Sequence, residues 1–175
     1  MQKYTFNEYE KERLSIYEVN GSTDMKTLMK ANKYHMIVIT SGEMTVDVNF
    51  RIFHMKAQSV LHISSGETIR EISTSADMRG YHFIYSPAFQ IEMRTTRKSP
   101  ISPQLKKEYP YQEFTENEYE LIYNSIKRII GYIDDTEHLY RSILIKNEIY
   151  SMQLNISNKR RKQHGSMMTD NASHQ

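Results

Sequence analysis

The sequence predicts a mainly β domain, an antiparallel sandwich or barrel, followed by α-helices. Three observations lead to this fold class. Between residues 34 and 86, short apolar or alternating segments follow one another with only tight turns between them, which is typical of antiparallel strands. No helical segment separates these strands, whereas parallel sheets need such crossovers. Beyond residue 114 the apolar residues recur at every third or fourth position, as they do in amphipathic helices.

The strands are predicted from alternation and from turn residues. Met44, Val46, Val48 and Phe50 fall on one face of residues 44–50, because successive side chains leave opposite faces of a strand. Further strands are predicted at residues 14–19, 34–40, 51–56, 59–63, 67–76 and 80–86, with turns between them. Residues 25–30 fit either a strand or a short helical turn. Residues 1–12 are expected to form a loose polar arm.

The helices are predicted from capping residues and periodicity. A short helix is expected at Pro87, with Ser86 as its N-cap, and the proline-rich residues 98–110 are expected to form a connector. Thr115 and Glu118 form a capping box that begins a longer helix. The apolar face of this helix contains Tyr119, Ile122, Ile126, Ile129, Ile130 and Ile133. A second helix follows, with apolar residues from position 139 to position 156.

The second helix is apolar on more than one side. Ile145, Ile149, Met152 and Ile156 step by four, three and four residues, which is a heptad-like spacing. A helix of this kind is usually buried from two directions. We therefore expect one side to contact the barrel and the other side to form a homodimer through these four residues.

The composition excludes several classes of protein. The 175 residues include no cysteine, which excludes disulfides, thiolate metal sites and cysteine nucleophiles and is consistent with a cytoplasmic location. The net charge of +2 gives no overall bias towards nucleic acid. The chain has no apolar signal-peptide region and no run of about 20 apolar residues, so we predict no signal peptide and no membrane span.

These observations divide the chain into three parts. Residues 1–98 are predicted to be the β-barrel with its N-terminal arm, residues 99–157 the helical dimerisation region, and residues 158–175 a polar, basic linker or tail. The basic run at residues 159–162 could contact phosphates, although such a run is more often a solvated linker. No helix-turn-helix pattern occurs in the sequence.

The residue types that catalysis or metal binding needs are scattered. His35, His54, His62 and His82 each stand alone, without the His-x-His spacing that places two ligands on one face of a strand. The six scattered glycines are expected at turns, and neither a phosphate-binding loop nor a nucleophile elbow occurs. We therefore predict no metal, no cofactor and no enzymatic activity.

A small β-barrel can still hold one ligand in its mouth or lumen. The candidate ligand-binding residues are Ser41 at a strand end, Arg70 after a turn, and Tyr81 and His82 on the last strand. Each of the last three also has a structural interpretation. Arg70 fits an exposed strand position, His82 a buried core position, and Tyr81 a position that packs against helices. The pattern leaves open which face of the last strand lies inside the barrel.

A resemblance to a known family rests on three segments. Residues 34–42 (YHMIVITSG), 60–66 (VLHISSG) and 81–89 (YHFIYSPAF) resemble the N-terminal cupin domain of AraC-type bacterial transcription regulators. The helical pair at residues 115–157 is similar to the helices that mediate dimerisation in that family. The resemblance implies a cupin barrel, that is, a double-stranded β-helix. It also implies that Ser41 and His82 fall near positions that line the ligand pocket.

The same resemblance implies a function. The chain would be the effector-sensing and dimerisation domain of such a regulator, with a second copy and a small-molecule effector as partners. It would contact DNA only through a C-terminal helix-turn-helix domain that is not present in this chain. Two other hypotheses stay open: a stand-alone cupin enzyme that binds a small metabolite, and a structural dimerisation module that binds no ligand.

Overall fold

Two antiparallel β-sheets form the body of the protein, and helices cover the outer face of the larger one. The structure is a computed structural model that describes residues 2–22, 29–95 and 100–173. The strands are β1 (Lys3–Glu8), β2 (Glu10–Asn20), β3 (Met29–Lys30), β4 (Tyr34–Ser41), β5 (Met44–Val48), β6 (Arg51–Met55), β7 (Ser59–Ile63), β8 (Thr68–Thr74), β9 (Arg79–Tyr85) and β10 (Tyr111–Glu113). The helices are α1 (Pro87–Thr95), α2 (Pro103–Glu108), α3 (Glu116–Asp134) and α4 (Arg141–Ser173).

The order of the strands is that of a cupin-like fold. The larger sheet has the order β1-β2-β9-β4-β7-β10 and the smaller sheet β3-β8-β5-β6, and the strand pairs described in both are antiparallel. From β4 to β9 the chain passes repeatedly from one sheet to the other, as in double-sheet jelly rolls. The predicted fold class, a mainly β, cupin-like domain with C-terminal helices, is confirmed.

The apolar side chains form two cores on opposite faces of the larger sheet. The inner core lies between the sheets and includes Ile37, Ile39, Val46, Phe53, Leu61 and Ile63. The outer core lies between the larger sheet and the helices and includes Met36, Val38, Phe83, Phe89, Ile126 and Ile149. Neighbouring residues of β4 alternate between these cores, because successive side chains leave opposite faces of a strand. The larger sheet is therefore buried on both faces.

The first residues form a strand rather than the expected loose arm. β1 pairs with β2, with Phe6 opposite Leu14, and both side chains are buried. The hydrophobic pattern of residues 3–8 does not predict this strand, because the residues around Phe6 are mostly polar. The strand forms because it pairs with β2. Of the ambiguous segment 25–30, Met29 and Lys30 form β3, and residues 25–28 lie outside the described residues.

Helix α4 continues through residues that the sequence predicts to be a linker or tail. The ammonium of Lys159 lies 2.8 Å from the carboxylate of Glu118 on α3. Arg160 is buried, and its Nε donates to the carbonyl oxygen of Tyr109 at 2.8 Å. Lysine and arginine also have high helix propensity. The basic run thus belongs to a helix that packs on its own chain, and the expected break at residue 158 is not found there.

The predicted connector contains a short helix. The hydroxyl of Ser102 accepts from the Leu105 backbone N–H at 3.1 Å and caps α2, while Pro103 occupies its first turn. The capping box predicted at Thr115 and Glu118 is present at the start of α3. In the part of the chain that the structure describes, no helix combines the length and the apolar composition needed to cross a membrane.

Candidate functional site

Two of the predicted ligand-binding residues lie at the surface of the barrel. Ser41 ends β4, and its hydroxyl donates to the carbonyl oxygen of Asp77 at 3.1 Å. Arg70 projects from β8, where 48% of its side chain is exposed, and it lies 3.5 Å from the carboxylate of Asp47. Each side chain thus has a partner within the chain itself.

The other two residues lie on opposite faces of β9. Tyr81 packs in the outer core, where its ring lies 6.4 Å from that of Tyr123 on α3. His82 is buried on the other face of the strand, in contact with His35. The structure therefore does not bring Ser41, Arg70, Tyr81 and His82 together in one site.

The two inner histidines form a buried pair. Nδ1 of His35 lies 2.8 Å from Nε2 of His82, so one ring N–H donates to the other ring. Burial lowers the pKa of His35 to about 4 and that of His82 to about 3, with a smaller contribution from neighbouring positive charge. Both rings are consequently neutral at pH 7. The sequence could reveal this pair only together with the pairing of β4 and β9, which places the two residues diagonally on one face.

The apolar side chains of the inner core share the space between the sheets with this pair. The ring of Tyr17 lies 6.5 Å from that of His82. Within the described residues, no group of three or more histidines and carboxylates is placed to hold a metal ion.

A pocket of about 450 Å³ lies where the turn between β7 and β8 meets α1, α2 and α4. Pockets for small molecules usually have volumes between about 300 and 1,000 Å³. The apolar part of the wall includes Tyr34, Met93 and Ile101. The uncharged polar part includes Asn49, Ser64, Ser65, Gln90, Gln153 and Ser157. None of the four predicted ligand-binding residues lines this pocket.

Arg160 and His62 both line the pocket and contact each other. The guanidinium of Arg160 donates to Nδ1 of His62 at 3.2 Å, in addition to its bond with the carbonyl oxygen of Tyr109. Burial lowers the pKa of His62 well below its usual value, and the charges of Lys106 and Arg160 act in the same direction. Neutral His62 can therefore accept this hydrogen bond. The spacing of α4 could have indicated the position of Arg160, since it follows Ile156 by four residues on the buried face.

Three further basic residues line the same pocket: Arg94 at the end of α1, and Lys106 and Lys107 on α2. Burial lowers the pKa of Lys106 to about 7, and the charges of Arg160 and Arg94 contribute. No carboxylate of the described residues forms an ion pair with any of the four basic residues of the pocket. Glu67 is the acidic residue among the described residues that line the pocket, and its carboxylate accepts from the Ser64 backbone N–H at 2.7 Å.

The four residues predicted to form the dimer interface lie inside the chain. Ile145, Ile149, Met152 and Ile156 are between 0% and 3% exposed and belong to the outer core. Their heptad-like spacing correctly predicts that they are buried. The surface that covers them is formed by the larger sheet and α3 of the same chain, not by a second copy. The assignment of these residues to a dimer interface is therefore corrected.

Comparison with known structures finds similar chains. Two of them are cupin proteins that match less than half of this chain. One is from Bacteroides fragilis, is 15% identical and covers 41% of this chain and 61% of that chain, with a TM-score of 0.34. The other is an RmlC-like cupin from Methanocaldococcus jannaschii, 15% identical, covering 42% of this chain and 68% of that chain, with a TM-score of 0.36.

A longer match is found with ToxT from Vibrio cholerae, solved as an apo single-substitution variant. It is 11% identical, with a TM-score of 0.56, and the match covers 85% of this chain. The chain spans 57% of the length of the ToxT chain. At this identity the likeness shows a shared fold. No family model and no curated protein sequence matches the chain.

Proposed function

We propose that this chain is the effector-sensing and dimerisation domain of an AraC-type transcription regulator that acts in the cytoplasm. The likeness to ToxT, an AraC-type regulator, supports this proposal best. It covers 85% of the chain, whereas the strands end at Glu113. The likeness therefore includes the helices as well as the cupin-like sheets.

Helix α4 is the element that suits the domain to regulation. Gln153, Ser157 and Arg160 of α4 line the pocket, and the helix continues beyond them to Ser173. A ligand shifts a conformational equilibrium by its difference in affinity for the two states. A ligand that prefers one position of α4 would therefore change the position of a DNA-binding domain attached beyond residue 175. This chain itself would not bind specific DNA.

We propose that the domain forms a homodimer through residues other than the buried set. Leu139, Tyr140 and Ile143 lie where α4 begins and are 90%, 65% and 57% exposed. Exposed groups of large apolar side chains mark interaction surfaces. A two-fold dimer would also set the spacing of the two DNA half-sites.

Sedimentation equilibrium at tens of micromolar tests the dimer. We expect a dimer for the unchanged chain and a shift towards monomer for the double variant Leu139→Ser, Ile143→Ser. Leu121→Ser is the matched control, since Leu121 is 55% exposed on α3. A monomeric unchanged chain would contradict the proposed dimer.

A fusion tests the regulatory function. The chain is joined through its C-terminal end to a DNA-binding domain that occupies its operator only as a dimer, and a reporter gene measures occupancy. We expect the fusion, but not the separate DNA-binding domain, to occupy the operator. Equal occupancy by both, or specific DNA binding by the unfused chain, would contradict the proposal. Stoichiometric iron, zinc or manganese in the purified protein would favour the alternative of a cupin enzyme.

A further inference from the structure

The pocket beside α4 concentrates positive charge in a place where water solvates it poorly. Arg160 is 1% exposed, Lys106 is half-buried, and Arg94 and Lys107 complete the set. Charges of one sign repel each other more strongly as the local dielectric constant falls. A buried charge without a partner destabilises the fold. Among the described residues none of these four side chains forms an ion pair, and Glu67 is the one carboxylate that lines the pocket beside them.

The basic side chains of the pocket are arranged to bind an anionic group. Arg160 is already held in place by its bonds to the carbonyl oxygen of Tyr109 and to His62, so it loses little freedom on binding. Lys106 reaches the same pocket from α2. Hydrogen bonds from charged donors to carboxylate or phosphate oxygens are among the strongest in proteins.

We propose that this pocket binds a small organic anion that carries a carboxylate or a phosphate, with Lys106 and Arg160 as its main ligands. The apolar wall formed by Tyr34, Met93 and Ile101 accommodates the uncharged part of the molecule. This inference names the chemical class of the effector and rests on the proposed function only for the consequence of binding. Binding itself does not depend on that function.

Calorimetric titration of the full chain tests the site with three probes of similar size. Benzoate and phenyl phosphate carry the two anionic groups, and benzamide is the neutral control. Chloride is kept at a constant concentration, because salt weakens interactions between charges. We expect benzoate or phenyl phosphate, but not benzamide, to bind, and the stronger of the two identifies the preferred anionic group.

The variant Lys106→Gln connects binding to the pocket. Loss of a charge-assisted hydrogen bond should weaken binding of the preferred probe about tenfold or more. The variant should fold, because the substitution removes repulsion between Lys106 and its basic neighbours. Lys162→Gln is the matched control: Lys162 is exposed on α4 and does not line the pocket. Its binding should equal that of the unchanged chain.

The dependence of binding on pH gives an independent signature. Lys106 faces Arg94 on α1, Arg160 on α4, His62 on β7 and Glu67 in the turn. With its pKa lowered to about 7, the free ammonium loses its proton above pH 7, whereas a bound anion favours the charged form. Affinity should therefore fall between pH 6.5 and pH 8.5, with proton uptake on binding at the higher pH, and Lys106→Gln should remove this dependence.

The outcomes separate the anion site from the regulatory function. Failure of both anions to bind, equal binding of benzamide, or unchanged affinity in Lys106→Gln would overturn the anion site. Binding with the expected variant pattern supports the site even if the reporter fusion does not respond to the anion. A reporter fusion that does not respond to a bound anion would instead count against the proposed regulatory function.

Discussion

The buried histidines show how the fold sets the charge of single residues. Burial lowers the pKa of His35, His62 and His82, because the interior solvates an imidazolium poorly. Each ring then takes part in the structure as a neutral donor or acceptor. In the unfolded chain the same side chains titrate near their usual pKa of about 6.5. Stability consequently depends on pH.

We predict that the protein loses stability below pH 6.5. The folded pKa values are lower than the unfolded ones, so the unfolded chain binds more protons in acid. The contribution is fully present above the unfolded pKa and decreases as the pH falls towards the folded pKa of His35, about 4. Urea denaturation should show a loss of about 1–2 kcal/mol for each of His35 and His82 between pH 6.5 and pH 5, and a further loss from His62.

Two variants make this prediction specific. His82→Gln should reduce the dependence of the unfolding free energy on pH, because one of the buried titrating groups is removed. His54→Gln is the control, since His54 is exposed on β6 and bonds only to Thr45 in the described contacts. If both variants kept the dependence of the unchanged chain, the buried pair would not be its source.

A second prediction at this scale concerns two glycines. A Cβ on Gly80 would lie 2.1 Å from the backbone oxygen of Val38, because β9 and β4 approach closely there. Gly80→Ala should lower the unfolding free energy by about 2 kcal/mol or more. Gly131 on α3 has no atom within 4 Å of its Cβ position. Gly131→Ala should stabilise the protein by about 0.5–1 kcal/mol, and equal effects of the two substitutions in urea denaturation would contradict the structure.

At the scale of elements, α4 differs most from the sequence prediction, because its predicted dimer face is buried within the same chain. Its apolar residues indicate burial, and the sequence alone does not say whether the covering surface belongs to the same chain or to a second copy. The structure places Ile149 between the larger sheet and α3, and it places Ile143 at the surface. This contrast leads to a direct test.

We predict that Ile149→Ala destabilises the isolated chain by about 2–5 kcal/mol, because it leaves a cavity in the outer core. Ile143→Ala should change the stability of the monomeric chain by less than about 0.5 kcal/mol, since its side chain is 57% exposed there. Thermal unfolding at several protein concentrations measures both. If Ile149 were instead an interface residue, the effect of its substitution would disappear at low concentration, where the chain is monomeric.

What the sequence predicts well is local. The alternation in residues 44–48 and the capping box at Thr115 depend on neighbours a few positions away, and both are found in the structure. Phe50, predicted on the same strand face, instead lies in the turn after β5 and is 85% exposed. β1, the His35–His82 pair and the basic pocket depend on contacts between distant parts of the chain. The burial of Arg160 was not predicted, because an arginine is rarely buried without a partner and its residue type therefore predicts an exposed position. Its spacing from Ile156 was the only local signal.

At the scale of the whole molecule, ion pairs tie the helices to the edge of the larger sheet. The ammonium of Lys146 on α4 contacts the carboxylates of Glu8 and Glu92, the latter at 3.0 Å. Arg13 on β2 contacts the same two carboxylates, with Glu8 at 2.9 Å. The start of α4 is thus anchored to β1, β2 and α1, while its later turns form a wall of the pocket. A ligand in the pocket would contact the part of α4 that lies beyond this anchor.

Hydrogen exchange measured by mass spectrometry, with and without the preferred anionic probe, tests most directly whether this pocket is the sensing site. Binding is expected to slow exchange in α2 and in residues 153–160 of α4, with little change in β5 and β6. Protection confined to the strands of the smaller sheet would place the ligand inside the barrel and would contradict a sensing site beside α4.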